Sequence, residues 1–106
     1  MTVSPIAILQ IQLIRSGATD EHPFATPTLN IGRANDNDVI LEDPQVSGHH
    51  MRIEVSGSQA VVTDLGSTNG VQVNGQRIPA KPPVPLRPGD RIELIEFRLA
   101  LRAFVP

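Results

Sequence analysis

A period of two, recurring in short runs and never giving way to a helical period, limits this chain most. Leu9, Ile11 and Leu13 alternate with Gln10 and Gln12, and Met51, Ile53 and Val55 alternate with Arg52 and Glu54. Near the end, Leu99, Leu101, Ala103 and Val105 alternate with Arg98, Arg102 and Phe104. Successive side chains of a strand point to opposite faces, so each run marks a half-buried strand. Turn signals separate the runs: Ser16-Gly17-Ala18, Ser56-Gly57-Ser58, Asn74-Gly75 and Pro88-Gly89. Asn-Gly accepts the positive φ angles of a tight type I′ turn, which predicts a hairpin over residues 72–78. Pro88-Gly89 suits the centre of a type II turn, leading into a strand through Ile92 and Leu94. Short strands with turns at close intervals imply an all-β sandwich.

The remaining segments fit that plan. Residues 18–28, with Asp20, Glu21, Pro23 and Pro27, read as an exposed connection from which Phe24 alone reaches the core. Leu29 and Ile31 begin a strand, and Ala34 to Asp38 is loop, because Asn and Asp satisfy turn backbone. Val39-Ile40-Leu41 reads as a short buried strand, and Pro44 excludes helix at Asp43. Ala60 to Leu65 is a further strand. The stretch Pro79 to Pro88 is expected to be extended and polyproline-like. Pro82, Pro85 and Arg87 match a pattern bound by SH3-type domains. A stiff inter-strand loop, whose prolines lower the entropy of the unfolded chain, is the preferred reading.

At 106 residues the chain fits one domain, 1–106, able to bury a core without staples. Cysteine is absent, which excludes disulfides and thiolate metal sites and suits a reducing, cytoplasmic setting. A net charge of -2 argues against general nucleic-acid binding. Met1 to Pro5 carries no basic residue, and Ile6 to Ile14 is too short to span a bilayer. Neither signal peptide nor membrane partner is expected.

Chemistry concentrates between Gly32 and His50 and in Ser67-Thr68-Asn69-Gly70. Arg33 directly follows an apolar strand signal and a glycine, and Ser47-Gly48-His49-His50 precedes the strand from Met51. A guanidinium offers a planar fork to phosphate oxygens, while a hydroxyl and backbone N–H groups supply shorter donors. Taken singly, Arg33 would be a surface residue pairing with Asp36 or Asp38, and Ser47 a turn hydroxyl. Asn74-Gly75 is read as a turn only.

Gly32-Arg33, Ser47-x-x-His50, Ser67-Thr68-Asn69-Gly70 and Asn74-Gly75, in this order and spacing, resemble the signature of a forkhead-associated (FHA) domain. Asn37-Asp38-Val39, Asp64-Leu65-Gly66 and Leu86 to Ile92 agree with it, and the likeness runs from about Leu29 to Leu94. The resemblance implies two sheets with about eleven short strands, binding loops at one end, and no catalytic activity or cofactor. It implies a Thr-phosphorylated protein or peptide as partner, a Ser/Thr kinase or its substrate. Carried over, Arg33 and Ser47 would grip phosphate, while Thr68 and Asn69 would face the peptide. Gln45 and Gly48 would sit in the peptide-contacting loop. Gly32 would let the backbone turn so that Arg33 reaches the site, with His50 and Gly70 supporting. The sequence departs at Gly48, where relatives often carry a long polar side chain, and at Glu96, where many have glycine. Gln45 takes the place of a selective charge found in some relatives.

Other classes make definite demands. An esterase would use Ser47 with His49 or His50 as base, yet no nucleophile-elbow motif is present. A metal site would group His22, His49, His50 and Asp43 without any recognised ligand spacing. An FHA-like scaffold binding its partner independently of phosphorylation is the main alternative. Phosphorylation of Thr19, Thr26 or Thr28 could also occupy the site in cis, although surface loop residues are the preferred reading.

Overall fold

The computed structural model describes residues 7–104; the N-terminal residues 1–6 and the expected strand end at Val105 lie outside them. Eleven strands follow one another: β1 (Ala7–Leu13), β2 (Thr19–Phe24), β3 (Thr28–Gly32), β4 (Val39–Ile40), β5 (Met51–Ser56), β6 (Gln59–Asp64), β7 (Gln72–Val73), β8 (Gln76–Arg77), β9 (Val84–Leu86), β10 (Ile92–Leu94) and β11 (Phe97–Phe104). They form a six-stranded sheet, β2-β1-β11-β10-β7-β8, and a five-stranded sheet, β4-β3-β5-β6-β9. Every pairing is antiparallel except β3 with β4.

The inward faces are those the alternation marked. Leu9 meets Leu101 and Ile92 meets Leu99 on one sheet, and Ile53 is flanked by Leu29 and Val62 on the other. All of these are buried. Each such Leu, Ile or Val contributes roughly 1.5–3 kcal/mol through apolar surface removed from water. A sheet hydrophobic on one face is stable only against a second, so the sandwich follows from the pattern.

Two strands appear where the sequence predicts connection. Within residues 18–28, Thr19–Phe24 forms β2, with Pro23 opposite Ile8 and Phe24 buried as expected. Acidic residues and a proline are the composition of an edge strand, which repels further pairing. Thr19 and Thr28 therefore sit in strands, and Thr26 Oγ donates to Thr28 O. Likewise Val84–Leu86 becomes β9, with Pro85 opposite Val61 at the other sheet's edge. That ladder occupies the centre of the SH3-type pattern. Ile40, expected to be buried, is 42% exposed, because β4 is an edge strand whose alternate side chain faces outward.

The turns obey their residues. Asn74 (φ 52°) and Gly75 (φ 86°) both take positive φ, as type I′ requires. Gly89 (φ 91°) occupies the left-handed position of the 87–90 turn, closed by Asp90 N–H to Arg87 O at 3.0 Å. Between β10 and β11 the unusual residue is Ile95, at φ 54°, rather than Glu96. A β-branched residue there costs about 1–3 kcal/mol, offset by its packing against the core.

Asp90 ties two turns together. Its Oδ2 accepts the Arg87 N–H at 2.8 Å and its Oδ1 accepts Asn74 Nδ2 at 3.0 Å. The Arg87 amide, then the Asn74 amide, hold its carboxyl below the usual aspartate range. A lowered folded pKa gives stability that is present above the unfolded value and lost as pH falls through the folded one. Asp90→Ala is expected to lower stability by about 1 kcal/mol near neutrality. In urea titrations the difference from wild type should shrink as pH drops through and beneath the aspartate range.

Candidate functional site

Three loops meet at one end of the sandwich, and backbone contacts between them fix their spacing. Arg33 leaves the end of β3; its main-chain N–H donates to Ser47 O at 3.0 Å and its Nε donates to Val46 O at 3.0 Å. The side chain is exposed, and among the described residues neither terminal amino group of the guanidinium has a hydrogen-bond partner. Asp36 instead lies 3.5 Å from His49, and Asp38 accepts the Asn30 N–H at 2.8 Å. The surface pairing considered for Arg33 alone is therefore not made.

Ser47 joins the second loop to the third. Its Oγ accepts the Thr68 N–H at 3.1 Å, which leaves the hydroxyl proton available to a ligand. Asn69 Nδ2 donates to Gln45 O at 2.8 Å, placing Gln45 beside the same loop. The 66–70 segment is shaped locally. Asp64, 2% exposed, accepts the N–H groups of Gly66 (3.2 Å) and Ser67 (2.8 Å) on Oδ1, and Ser67 Oγ accepts the Gly70 N–H at 3.0 Å. Such Asx and Ser turns set the chain direction before any ligand arrives. Gly66 and Gly70 take positive φ, 85° and 81°.

Gly32 does something other than expected. Its φ is not in the left-handed region, so a freer turn is not what it provides. A Cβ on Gly32 would lie 2.3 Å from Gly48 O and 2.9 Å from Gly48 C. Glycine is needed so that two backbone segments can touch. Asn37 completes this contact, donating through Nδ2 to Ala34 O (2.8 Å) and Gly48 O (2.7 Å). Gly48 itself is unconstrained, since a Cβ there would meet only Ala34 Cβ at 3.9 Å.

His50 is wholly buried at the junction of the loops. Its Nδ1 accepts the Ser47 N–H at 3.1 Å, and its Nε2 lies 2.9 Å from Gly70 O. The first bond requires an unprotonated Nδ1 and the second a proton on Nε2, which assigns the tautomer. Its main chain adds His50 N–H to Ile31 O (3.0 Å) and Leu65 N–H to His50 O (3.1 Å). One residue thus links β3, the Ser47 loop and the 66–70 loop. With both ring nitrogens bound to backbone, His50 does not face the Ser47 hydroxyl as a base, and His49 turns to Asp36. Among the described residues no group of three or more His, Cys, Asp or Glu could hold a metal ion.

The structure thus gathers Arg33, Gln45, Ser47, Gly48, Thr68 and Asn69 at one surface, with Gly32, His50 and Gly70 beneath. Sequence reasoning passed over Asn37 and Asp64 as site supports. Their signal was present, since each is an Asn or Asp beside a predicted turn, but their burial was not legible.

Comparison with known proteins gives the family. The sequence model of the FHA domain family matches residues 29–95. The transcriptional regulatory protein EmbR of Mycobacterium tuberculosis is 39% identical over 81 residues, covering 76% of this chain and 20% of that protein. This chain therefore spans only about a fifth of that relative's length. The solved structure of Mycobacterium tuberculosis EmbR in complex with a low-affinity phosphopeptide has a TM-score of 0.78 at 33% identity, covering 94% of this chain and 25% of that one. An FHA domain from a structural and functional analysis of phosphothreonine-dependent FHA domain interactions has a TM-score of 0.73 at 31% identity, covering 94% of this chain and 99% of that one. With the family match over residues 29–95 and the two-sheet fold in agreement, this chain belongs to the FHA domain family, a family of protein-interaction modules.

Proposed function

We propose that this chain, as one FHA domain over residues 1–106, binds a Thr-phosphorylated protein without catalysing a reaction. The observation that carries this reading is the convergence of the Arg33, Ser47 and Asn69 loops, with the Arg33 terminal amino groups unpartnered among the described residues. Phosphothreonine carries about -1.5 to -2 charge near neutrality and presents several strong acceptors. Arg33 supplies the charge match and Ser47 a shorter donor. Thr68 and Asn69 face the peptide main chain, with Gln45 and Gly48 in the neighbouring peptide-contacting loop. The partner is a Ser/Thr kinase or one of its substrates, and the setting is cytoplasmic signalling. The complex of the related EmbR with a phosphopeptide, and the phosphothreonine-dependent interactions studied for another related FHA domain, support this reading.

Fluorescence titration with matched phosphothreonine, phosphoserine and unmodified peptides is the test. The phosphothreonine peptide should bind and the unmodified one should not. Phosphoserine should bind about tenfold more weakly, the lower end of what one methyl in a shaped recess discriminates. Equal affinity for the unmodified peptide, or binding to a partner that survives phosphatase treatment, would replace this reading with a phosphorylation-independent scaffold.

A further inference from the structure

Loop 66–70 has two flanks, and the site described above uses one of them. At the end of β6, Asp64 pairs with Met51 on the β5 side, leading to His50 and Ser47. On the opposite side Asp64 bridges Ala80 in parallel, and its O accepts the Lys81 N–H at 2.8 Å. This second flank carries two cations. The Arg77 guanidinium lies directly over Gly70, where a Cβ would meet Nε at 2.6 Å and Cζ at 2.7 Å. Lys81 Cε lies 3.8 Å from the Cβ position of Gly66.

Neither cation is explained by the fold. Both side chains are exposed, and among the described residues neither has a carboxylate within ion-pair distance. Arg15, Arg98 and Arg102 have such a carboxylate, whereas among the described residues Arg33, Arg52, Arg87 and Arg91 do not, so what sets Arg77 and Lys81 apart is their place beside loop 66–70. Lys81 also holds a φ of 78° although it precedes Pro82. Proline pushes the preceding residue toward extended conformations, and a lysine at positive φ is uncommon in any context. Strain of this kind collects where a side chain has to be placed. Beside Arg77 opens a hollow of about 430 Å³ lined by Asp64, Ser67, Ile78, Pro79 and Ala80. Of these, Asp64 has Oδ1 committed to the amides of Gly66 and Ser67.

We propose that Arg77 and Lys81 form a second anion-reading flank, which selects phosphothreonine partners carrying an additional acidic or phosphorylated side chain near the phosphothreonine. The inference rests on the phosphothreonine reading of the main site. Peptide bound at Ser47, Thr68 and Asn69 must run along or across loop 66–70, and one side of that loop is lined with unpaired cations. Arg77 offers a planar fork and Lys81 a mobile point charge, which together suit a carboxylate or a phosphate.

The test uses phosphothreonine peptides with neutral flanks and versions in which a single glutamate, or a single phosphoserine, is walked through the positions on either side. Against wild type, glutamate at one favoured position should tighten binding about fivefold to tenfold, the scale of two exposed ion pairs, and the gain should fall with added salt. Phosphoserine there carries about -1.5 to -2 charge against -1 for glutamate and should gain more. The Arg77→Gln/Lys81→Gln double variant should bring the ratio of acidic-flanked to neutral-flanked affinity close to unity while leaving the neutral peptide's affinity unchanged. Its thermal melt should match wild type, since both side chains are exposed. Persistence of the ratio in the double variant overturns the proposal, as does wild type that binds the neutral peptide with no acidic preference at any position. If wild type binds no phosphothreonine peptide, the reading of the main site fails first and this one with it.

Discussion

Replacing Arg33 by alanine is expected to weaken phosphothreonine-peptide binding a hundredfold or more while leaving the protein folded. Two charge-assisted hydrogen bonds at about 1.5–3 kcal/mol each account for that loss, since 1.4 kcal/mol is tenfold in affinity. Among the described residues the exposed side chain makes one bond, Nε to Val46 O, so its removal should cost only about 1 kcal/mol of stability. Arg33→Lys keeps the charge and loses the fork, and should recover only part of the affinity. Ser47→Ala removes a neutral donor and should cost less than Arg33→Ala. Isothermal titration with one phosphothreonine peptide, alongside urea melts, measures both effects. Wild-type affinity in Arg33→Ala would place the phosphate elsewhere.

Gly32→Ala should produce the largest loss of stability from a single methyl group. If glycine were present only for conformational freedom at a φ that any residue can adopt, alanine would stabilise by roughly 0.4–1 kcal/mol through the unfolded chain. The close approach of Gly48 O, 2.3 Å from the added Cβ, predicts the opposite sign. The obstacle is backbone, held by Asn37 Nδ2 and by Ala34 N–H to Gly48 O at 3.1 Å, and cannot rotate aside. Destabilisation of about 3 kcal/mol or more is expected, the range of severe overpacking. The Ser47 loop must also shift, so peptide affinity should fall in the fraction that remains folded. A urea midpoint equal to or above wild type would refute the close-contact account.

His50 shows how far a local reading reaches. A histidine three residues after Ser47 and just before an apolar strand suggested a brace. That its two ring nitrogens bond to backbone of different loops is a tertiary fact. The same limit applies to Thr19–Phe24 and Val84–Leu86, whose prolines and charges argue against a strand in isolation. Each is a strand because the outermost strand beside it had unpaired backbone groups and space for a partner.

The sequence by itself determined which faces of the long strands turn inward, where Asn74-Gly75 and Pro88-Gly89 bend the chain, and to which family the residues from Gly32 to Gly75 belong. These properties depend on neighbours within a few positions, through strand periodicity and the φ preferences of single residues. That Gly32 is a contact point, that Asn37 and Asp64 shape the loops, and that Arg77 and Lys81 border loop 66–70 are visible in the folded chain alone. Those facts depend on segments distant in sequence meeting at the end of two packed sheets, and no local preference encodes that meeting.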